Sequence, residues 1–316
     1  MNAIVVYGAT GHTGRFVVEE LLRQNLPAAV SGRNGLALAE QWGGLDVRPA
    51  AVDDPHALDR ALKNAAAVVN CAGPFATTAE PLIQAAARQR IPYVDVAAEI
   101  EANAATLARQ STTPVVPAMA FFGALGDLLT TAIVDQPAPV HVAYGLSSWH
   151  PTPGTRVAGK VSHDRRAGRR VRYADGRLQY HDDSPVQQNW TFPEPLGTRR
   201  VIAEFSMADI VTIPSHLAVP EVRTYMSVEA AGDLADADTP PPPRDSDQTF
   251  VVDVRVGDAR ASAAGQDIYA ITAPLAVGAV RRILAGETRA TGVASAGAMF
   301  DAVEFLKELP LTVDLP

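Results

Sequence analysis

Three glycines at three-residue spacing, Gly8, Gly11 and Gly14, end the apolar run Ile4-Val5-Val6-Tyr7 and lead straight into an amphipathic segment. A chain that does this turns tightly from a strand into a helix. Glycine suits such a turn because a side chain would block close backbone approach to a pyrophosphate, whose charge is favoured by the free N–H groups of a helix start. Gly14, Val17, Val18, Leu21 and Leu22 recur at three- and four-residue intervals, while Arg15, Glu19, Glu20 and Arg23 take the other face. The turn therefore reads as a phosphate cradle, with Gly8, Thr10, Gly11, His12, Thr13 and Gly14 within reach of a dinucleotide. Its spacing is G-x-x-G-x-x-G, looser than the common G-x-G-x-x-G fingerprint, and a tight turn without ligand is the plain alternative. For His12 that alternative is a solvated turn residue.

The following segments give the turn its context. Ala28-Ala29-Val30-Ser31-Gly32 reads as a second strand, ending where a dinucleotide fold meets the adenosine ribose. An NAD-binding chain usually offers Asp or Glu there, whereas this one offers Ser31, Arg33 and Asn34. A guanidinium with hydroxyl and amide neighbours suits a 2′-phosphate, which predicts NADP(H) over NAD(H). A solvated surface arginine is the bland reading of Arg33. A third strand around Asp46 to Val52 precedes Asp53, expected near the adenine, and Asp54-Pro55 caps a helix to about Asn64. Ala66 to Cys71 is an apolar strand of the kind buried in a parallel sheet. The loop closing it, with Asn70, Ala72, Gly73, Pro74 and Phe75, is expected to face the cofactor, because ligands of such sheets bind outside the carboxyl ends of the strands. A helix over Glu80 to Arg88, a strand from Tyr93, another helix and a strand at Pro114 to Ala118 continue the pattern. Asp95, Glu99 and Asp127 are expected to orient loops or cap helices. Six alternations of strand and helix predict a Rossmann-type, doubly wound parallel sheet.

These motifs resemble a known group. Gly8-Ala9-Thr10-Gly11-His12-Thr13-Gly14, Ser31-Gly32-Arg33, Val69-Asn70-Cys71-Ala72-Gly73-Pro74-Phe75 and Tyr93-Val94-Asp95-Val96-Ala97-Ala98-Glu99 look like successive motifs of the saccharopine dehydrogenase-like (saccharopine reductase-like) NADP-binding superfamily. That superfamily includes trans-acting enoyl reductases, and Gly265 to Pro274 looks like a segment of its actinobacterial branch. The resemblance implies that Gly8, Gly11 and Gly14 hold the pyrophosphate, Arg33 the 2′-phosphate, and Asn70 to Phe75 the ribose and nicotinamide. It also implies reduction of either C=N or C=C bonds, without naming a substrate.

Near residue 137 the pattern changes. Residues 1–137 are expected to form the NADP-binding domain and 138–271 an α+β substrate or dimerisation domain on a mixed or antiparallel sheet. The family likeness has the helices within 272–316 packing back on the first domain. Strands are expected at Pro139 to Leu146, Arg200 to Phe205, Glu221 to Val228 and Gln248 to Val256, the last pairing with Ala259 to Ala264. A hairpin is expected around Asp175-Gly176 and a helix opening at Pro153, with a last helix from Ser295 to Leu309. Ala230 to Asp247, with four consecutive prolines, reads as a mobile surface loop. An antiparallel sheet here could pair across a homodimer.

Net charge of −8 argues against nucleic acid as principal partner, since neutralising phosphates needs a basic face. The single cysteine, Cys71, excludes an intramolecular disulfide and a cysteine-based zinc site. The longest apolar region, Pro114 to Val134, carries two prolines and Asp127 and makes a poor membrane span. With no charged-then-apolar leader before the first strand, a cytoplasmic location is expected.

Hydride chemistry belongs to the cofactor, so the search is for a proton donor. None of the seven tyrosines has lysine four residues on, which argues against the ketone reductases that use such a pair. His150 and Tyr269 are the catalytic candidates, both expected at the interdomain cleft; a surface histidine and a packed aromatic are their alternatives. Five arginines between Arg165 and Arg172 read either as a dock for an anionic or carrier-linked substrate or as a solvated face. The expected function is an NADPH-dependent oxidoreductase acting on a C=C or C=N bond of a small or carrier-linked substrate. A non-catalytic NADP(H) sensor is the alternative, and a structural, lipid-associated role a third.

Overall fold

The computed structural model describes residues 2–316. The first sheet comprises β1 (Ile4–Tyr7), β2 (Ala28–Gly32), β3 (Asp46–Pro49), β4 (Ala67–Asn70), β5 (Tyr93–Asp95) and β6 (Val115–Val116), all parallel and ordered β3-β2-β1-β4-β5-β6. Parallel strands need crossover helices, supplied by α1 (His12–Arg23), α2 (Gly35–Trp42), α3 (Pro55–Leu62), α4 (Phe75–Gln89) and α5 (Ile100–Leu107). Every residue of β1 and β4 is buried, as strands covered on both faces must be. The strand order reverses between β1 and β4, and such a switch point is where an α/β sheet takes its ligand.

A kinked segment at 121–125, where Phe122 and Gly123 leave helical backbone (Gly123 φ 107°), leads into α6 (Gly126–Ile133) and a second, mixed sheet. Its strands are β7 (Val140–Leu146), β8 (Arg170–Ala174), β9 (Arg177–His181), β10 (Gln187–Thr191), β11 (Thr198–Ala203), β12 (Glu221–Ser227), β13 (Thr249–Val256), β14 (Ala259–Gln266) and β15 (Thr312–Asp314). The order is β10-β11-β12-β7-β13-β14-β15, with the β8–β9 hairpin attached to β12. That hairpin turns at Asp175 and Gly176, both with positive φ (51° and 73°), the backbone that a tight two-residue hairpin requires. The remaining helices are α7 (Pro153–Arg165), α8 (Asp209–Thr212), α9 (Val228–Ala235), α10 (Thr272–Ala285), α11 (Ala296–Met299) and α12 (Ala302–Lys307). Helix α10 packs on α1 of the first domain, while α12 packs on α6.

Four expectations differ from this structure. Helix α4 starts at Phe75, not Glu80. The last helix is two short pieces, the second capped by Asp301 Oδ1 accepting from Glu304 N at 3.0 Å. Residues 312–314 add a strand to the second sheet where no strand is expected. The expected mobile loop begins as α9 and continues as a strap held at two points. Arg156 on α7 donates to the carbonyls of Asp236 (2.8 Å) and Thr239 (3.0 Å), and Arg244 pairs with Glu19 on α1 at 2.7 Å.

The core at β7 of the second sheet buries a Tyr–carboxyl pair. Tyr144 and Asp209 are both inaccessible, and the tyrosine hydroxyl donates to the carboxyl at 2.8–2.9 Å. Burial pushes Asp209 up to about 7, opposed by the Tyr144 hydrogen bond and assisted by the nearby Asp127 carboxylate. The unfolded chain releases this proton near pH 4, whereas the folded chain keeps it until about 7. Stability supplied by this group is therefore complete below pH 4 and is lost as pH rises towards 7, by at most roughly 1.4 kcal/mol per pH unit. Asp209→Asn, which keeps an acceptor for Tyr144, is expected to flatten this dependence and to match or exceed the parent in melting temperature at pH 8. Parallel pH–stability curves for the two proteins would exclude this account.

Candidate functional site

The glycine turn is tied down on its inner side. Gly8 N and Ala9 N donate to Ser31 O (2.8 and 3.3 Å), Gly11 N donates to Gly8 O (2.9 Å), and the Trp42 indole on α2 donates to Ala9 O (3.1 Å). Its outer side is open: Thr10 and Gly11 are exposed, no side chain caps α1, and no acidic residue stands in its first turn. A helix start left this way favours an anion. Thr13 is half-buried beside it and Gly14 lies wholly inside. The His12 ring sits edge-on between Phe16 (5.2 Å) and Tyr269 (5.1 Å), so residue 269 of the second domain meets the turn directly. Burial lowers the pKa of His12, which favours neutral imidazole, and its Nε2 is buried without a partner.

On the adenosine side the expected trio divides. Ser31 is inaccessible and its hydroxyl donates to Arg48 O at 2.7 Å; the expected hydroxyl contact to a 2′-phosphate is corrected, because that hydroxyl faces the sheet. Asn34 uses its Oδ1 to cap α2 through Ala37 N at 3.2 Å. Arg33 is exposed and, among the described residues, has no hydrogen bond or ion pair, leaving its charge for a ligand. Asp53 is also exposed, and both Arg33 and Asp53 act electrostatically on the Tyr7 hydroxyl, which places them at the same end of the crevice.

At the carboxyl end of β4, Asn70 is buried and its side chain is committed internally. Its Oδ1 accepts from Ala72 N (3.0 Å), and its Nδ2 donates to Thr78 Oγ1 (3.2 Å) and the Tyr93 hydroxyl (3.1 Å). Tyr93 donates to Asp95 Oδ2 at 2.9 Å, and Asp95 Oδ1 accepts from Ala97 N and Ala118 N. Burial pushes Asp95 up to about 6 against those hydrogen bonds. The network shapes the loop, while the exposed Gly73, with Ala72 and Pro74 partly open, presents backbone to the crevice. Phe75 is turned inward. A Cβ on Gly73 would come within 3.7 Å of Ala158 on α7, so that helix lies across this loop. Trp42 and Thr78 carry no local sequence signal, and Tyr93 opens one of the quoted family motifs without its hydrogen-bonding role being legible there.

His150 and Tyr269 do come together, but differently from the expectation. The Tyr269 hydroxyl donates to His150 O (3.2 Å), accepts from the Trp149 indole and Thr152 N (both 3.3 Å), and lies 3.1 Å from Thr155 Oγ1. Burial also raises its pKa. A hydroxyl so engaged ties the start of α7 to the segment before α10. His150 is half-buried, its Nδ1 has no partner, and it lines a small open cavity with Ser148, Pro243, Asp247 and Asp267. Among the arginines, Arg166, Arg170 and Arg172 are engaged: Arg166 with Ser162, Arg170 with the Ala203 and Glu204 carbonyls, and Arg172 with Gln179 and Glu204. These contacts favour a structural face there. Arg165 and Arg169 are exposed.

An anion-ready helix start, an unpaired guanidinium and an open backbone loop at the carboxyl ends of the adjacent strands β1, β2 and β4 fit a phosphorylated dinucleotide. Residues 4–116 match the family described as Saccharopine dehydrogenase NADP binding domain. A Saccharopine dehydrogenase-like oxidoreductase of Bos taurus is 32% identical over 117 residues, which make up 30% of this chain and 27% of that protein. A Lipid droplet localized protein of Caenorhabditis elegans is 35% identical over 111 residues, 26% of its length. A probable mitochondrial saccharopine dehydrogenase-like oxidoreductase of Arabidopsis thaliana is 29% identical over 142 residues, 31% of its length. The matched segments thus span less than a third of these relatives. The structure of apo saccharopine dehydrogenase (L-Glu forming) from Saccharomyces cerevisiae superposes with a TM-score of 0.62 at 10% identity, over 99% of this chain and 100% of that one, a likeness of fold. No helix among the described residues is long and apolar enough to cross a membrane.

Proposed function

We propose that this chain is an NADPH-dependent reductase, a reading supported by the match of residues 4–116 to the saccharopine dehydrogenase NADP binding domain family and by the relatives described as oxidoreductases. Its substrate is a small or carrier-linked molecule with a C=C or C=N bond, held where α7 lies across the loop after β4. The observation that carries this reading is the joint presence of the open α1 start and the unpaired Arg33. When bound, the cofactor supplies the hydride. In this reading the α1 turn seats the pyrophosphate, Arg33 neutralises the 2′-phosphate, and Gly73 and its neighbours position the nicotinamide side. Helix α7 shields the reacting carbon from water, and His150, with its unpartnered Nδ1, delivers the proton. Tyr269 orients the start of α7 and the histidine backbone. A homodimer through the open edge of β10 and a cytoplasmic location, where one cysteine stays reduced, belong to the same reading.

The engaged Tyr269 hydroxyl favours a second reading, an NADP(H) sensor without turnover. Loss of NADPH absorbance, followed with conjugated enoyl and cyclic imine substrates, separates the two. Turnover that falls in His150→Ala with NADPH affinity retained supports the reductase and its proton donor. Tight NADPH binding with no turnover of either substrate class supports the sensor.

A further inference from the structure

Helix α4 follows directly on the loop that closes β4, and its N-cap position is Pro74, which has no side chain able to accept a hydrogen bond. The first-turn N–H groups of a helix nevertheless need acceptors. They find them on Glu99, 24 residues away in sequence from Phe75. Glu99 Oε1 accepts from Phe75 N at 2.7 Å and Oε2 from Ala76 N at 3.0 Å, one N–H to each oxygen. Glu99 is itself held in place. It is 4% exposed and forms the N-cap of α5, where its carbonyl accepts from Asn103 N at 3.0 Å; the Asn103 amide in turn donates to Ala97 O at 2.9 Å. Burial raises the Glu99 pKa, and the two N–H groups oppose the rise by favouring the carboxylate.

This carboxylate therefore anchors one end of the loop, while the other end has separate fastenings: Cys71 N donates to Tyr7 O (2.8 Å) and Ala72 N to Asn70 Oδ1 (3.0 Å). Between the two anchors stands Gly73. We propose that Glu99 is a positioning residue for the nicotinamide half of the cofactor, setting the Gly73 to Ala76 backbone without touching the ligand. The proposal rests on the reading that NADP(H) binds in this crevice. It makes the two halves of the ligand respond differently, because the α1 turn and Arg33 have no contact with Glu99.

The test is calorimetric titration of the full chain and of Glu99→Gln with NADPH and with 2′,5′-ADP, which carries the adenosine half alone. Glutamine keeps one acceptor but turns an N–H donor towards the second backbone N–H. NADPH affinity is expected to fall by about tenfold or more, with 2′,5′-ADP affinity kept within about twofold. Equal affinity of parent and variant for NADPH overturns the proposal, as does an equal loss for both ligands, which marks a general defect of the domain. If Glu99→Gln does not fold, Glu99→Asp, which keeps the charge at the helix start but cannot span both N–H groups, gives the same comparison with a smaller loss. A parent protein that binds neither ligand fails at the cofactor reading itself, and the positioning role falls with it.

Discussion

Gly14→Ala is expected to abolish measurable NADPH binding and to lower the melting temperature substantially. The reason is backbone geometry. A Cβ at residue 14 would stand 2.2 Å from Gly8 O, 2.9 Å from Gly8 C and 3.1 Å from Ala9 Cα. All three are main-chain atoms, so no rotamer change relieves the clash; either α1 backs away from β1 or the Gly8 to Gly11 turn opens. Overpacking of this kind costs about 1–3 kcal/mol and sometimes more. Both escapes also misplace the helix start relative to the loop after β4, whose Ala72 already packs against Gly8. Gly11 offers the contrast. Its added Cβ meets only Gly8 O, at 3.2 Å, from an exposed position, so Gly11→Ala should fold nearly as well as the parent. Cofactor titration and thermal melting of both variants check the pair. Parent-like NADPH affinity in Gly14→Ala would show that this turn is not the seat of the dinucleotide.

The contrast between these glycines also shows what could be read before any coordinates. The Rossmann half was legible because its signals are local: β1 and β4 are continuous apolar runs, Gly8 to Gly14 is a contiguous turn, and Asp54-Pro55 marks a helix start within two residues. The family likeness was carried by the same contiguous motifs. The start of α4 was misplaced by five residues for the opposite reason. Its acceptor is Glu99, brought to Phe75 by the pairing of β4 with β5, and no local pattern announces a cap supplied from so far along the chain. Ser31 followed the same logic. Composition marked its hydroxyl as available, but strand parity decides which side of the sheet a residue faces, and here it faces Arg48 O. Tyr269 stands out in sequence only as a tyrosine ahead of a helix; its four partners come from residues 149–155, which only the folded chain assembles around it. Residues 312–314 are too few to carry an alternation signal, and their strand exists because β14 offers an edge.

Arg33 is where charge, not packing, should dominate. In Arg33→Ala, NADPH affinity is expected to fall about a hundredfold, while NADH affinity and melting temperature stay near those of the parent. A guanidinium facing a 2′-phosphate makes charge-assisted, often bidentate hydrogen bonds, each contributing about 1.5–3 kcal/mol, so losing the set costs roughly two orders of magnitude in affinity. NADH has no 2′-phosphate and loses nothing. The fold should be indifferent, because Arg33 is exposed and no described residue depends on it for a hydrogen bond or ion pair. The parent's preference for NADPH should also weaken as salt is raised from low to physiological ionic strength, since the pair is exposed and screened, whereas the variant's two affinities should move together. Equal losses for NADPH and NADH in Arg33→Ala would mean that this arginine supports the site's shape and that the 2′-phosphate is held elsewhere.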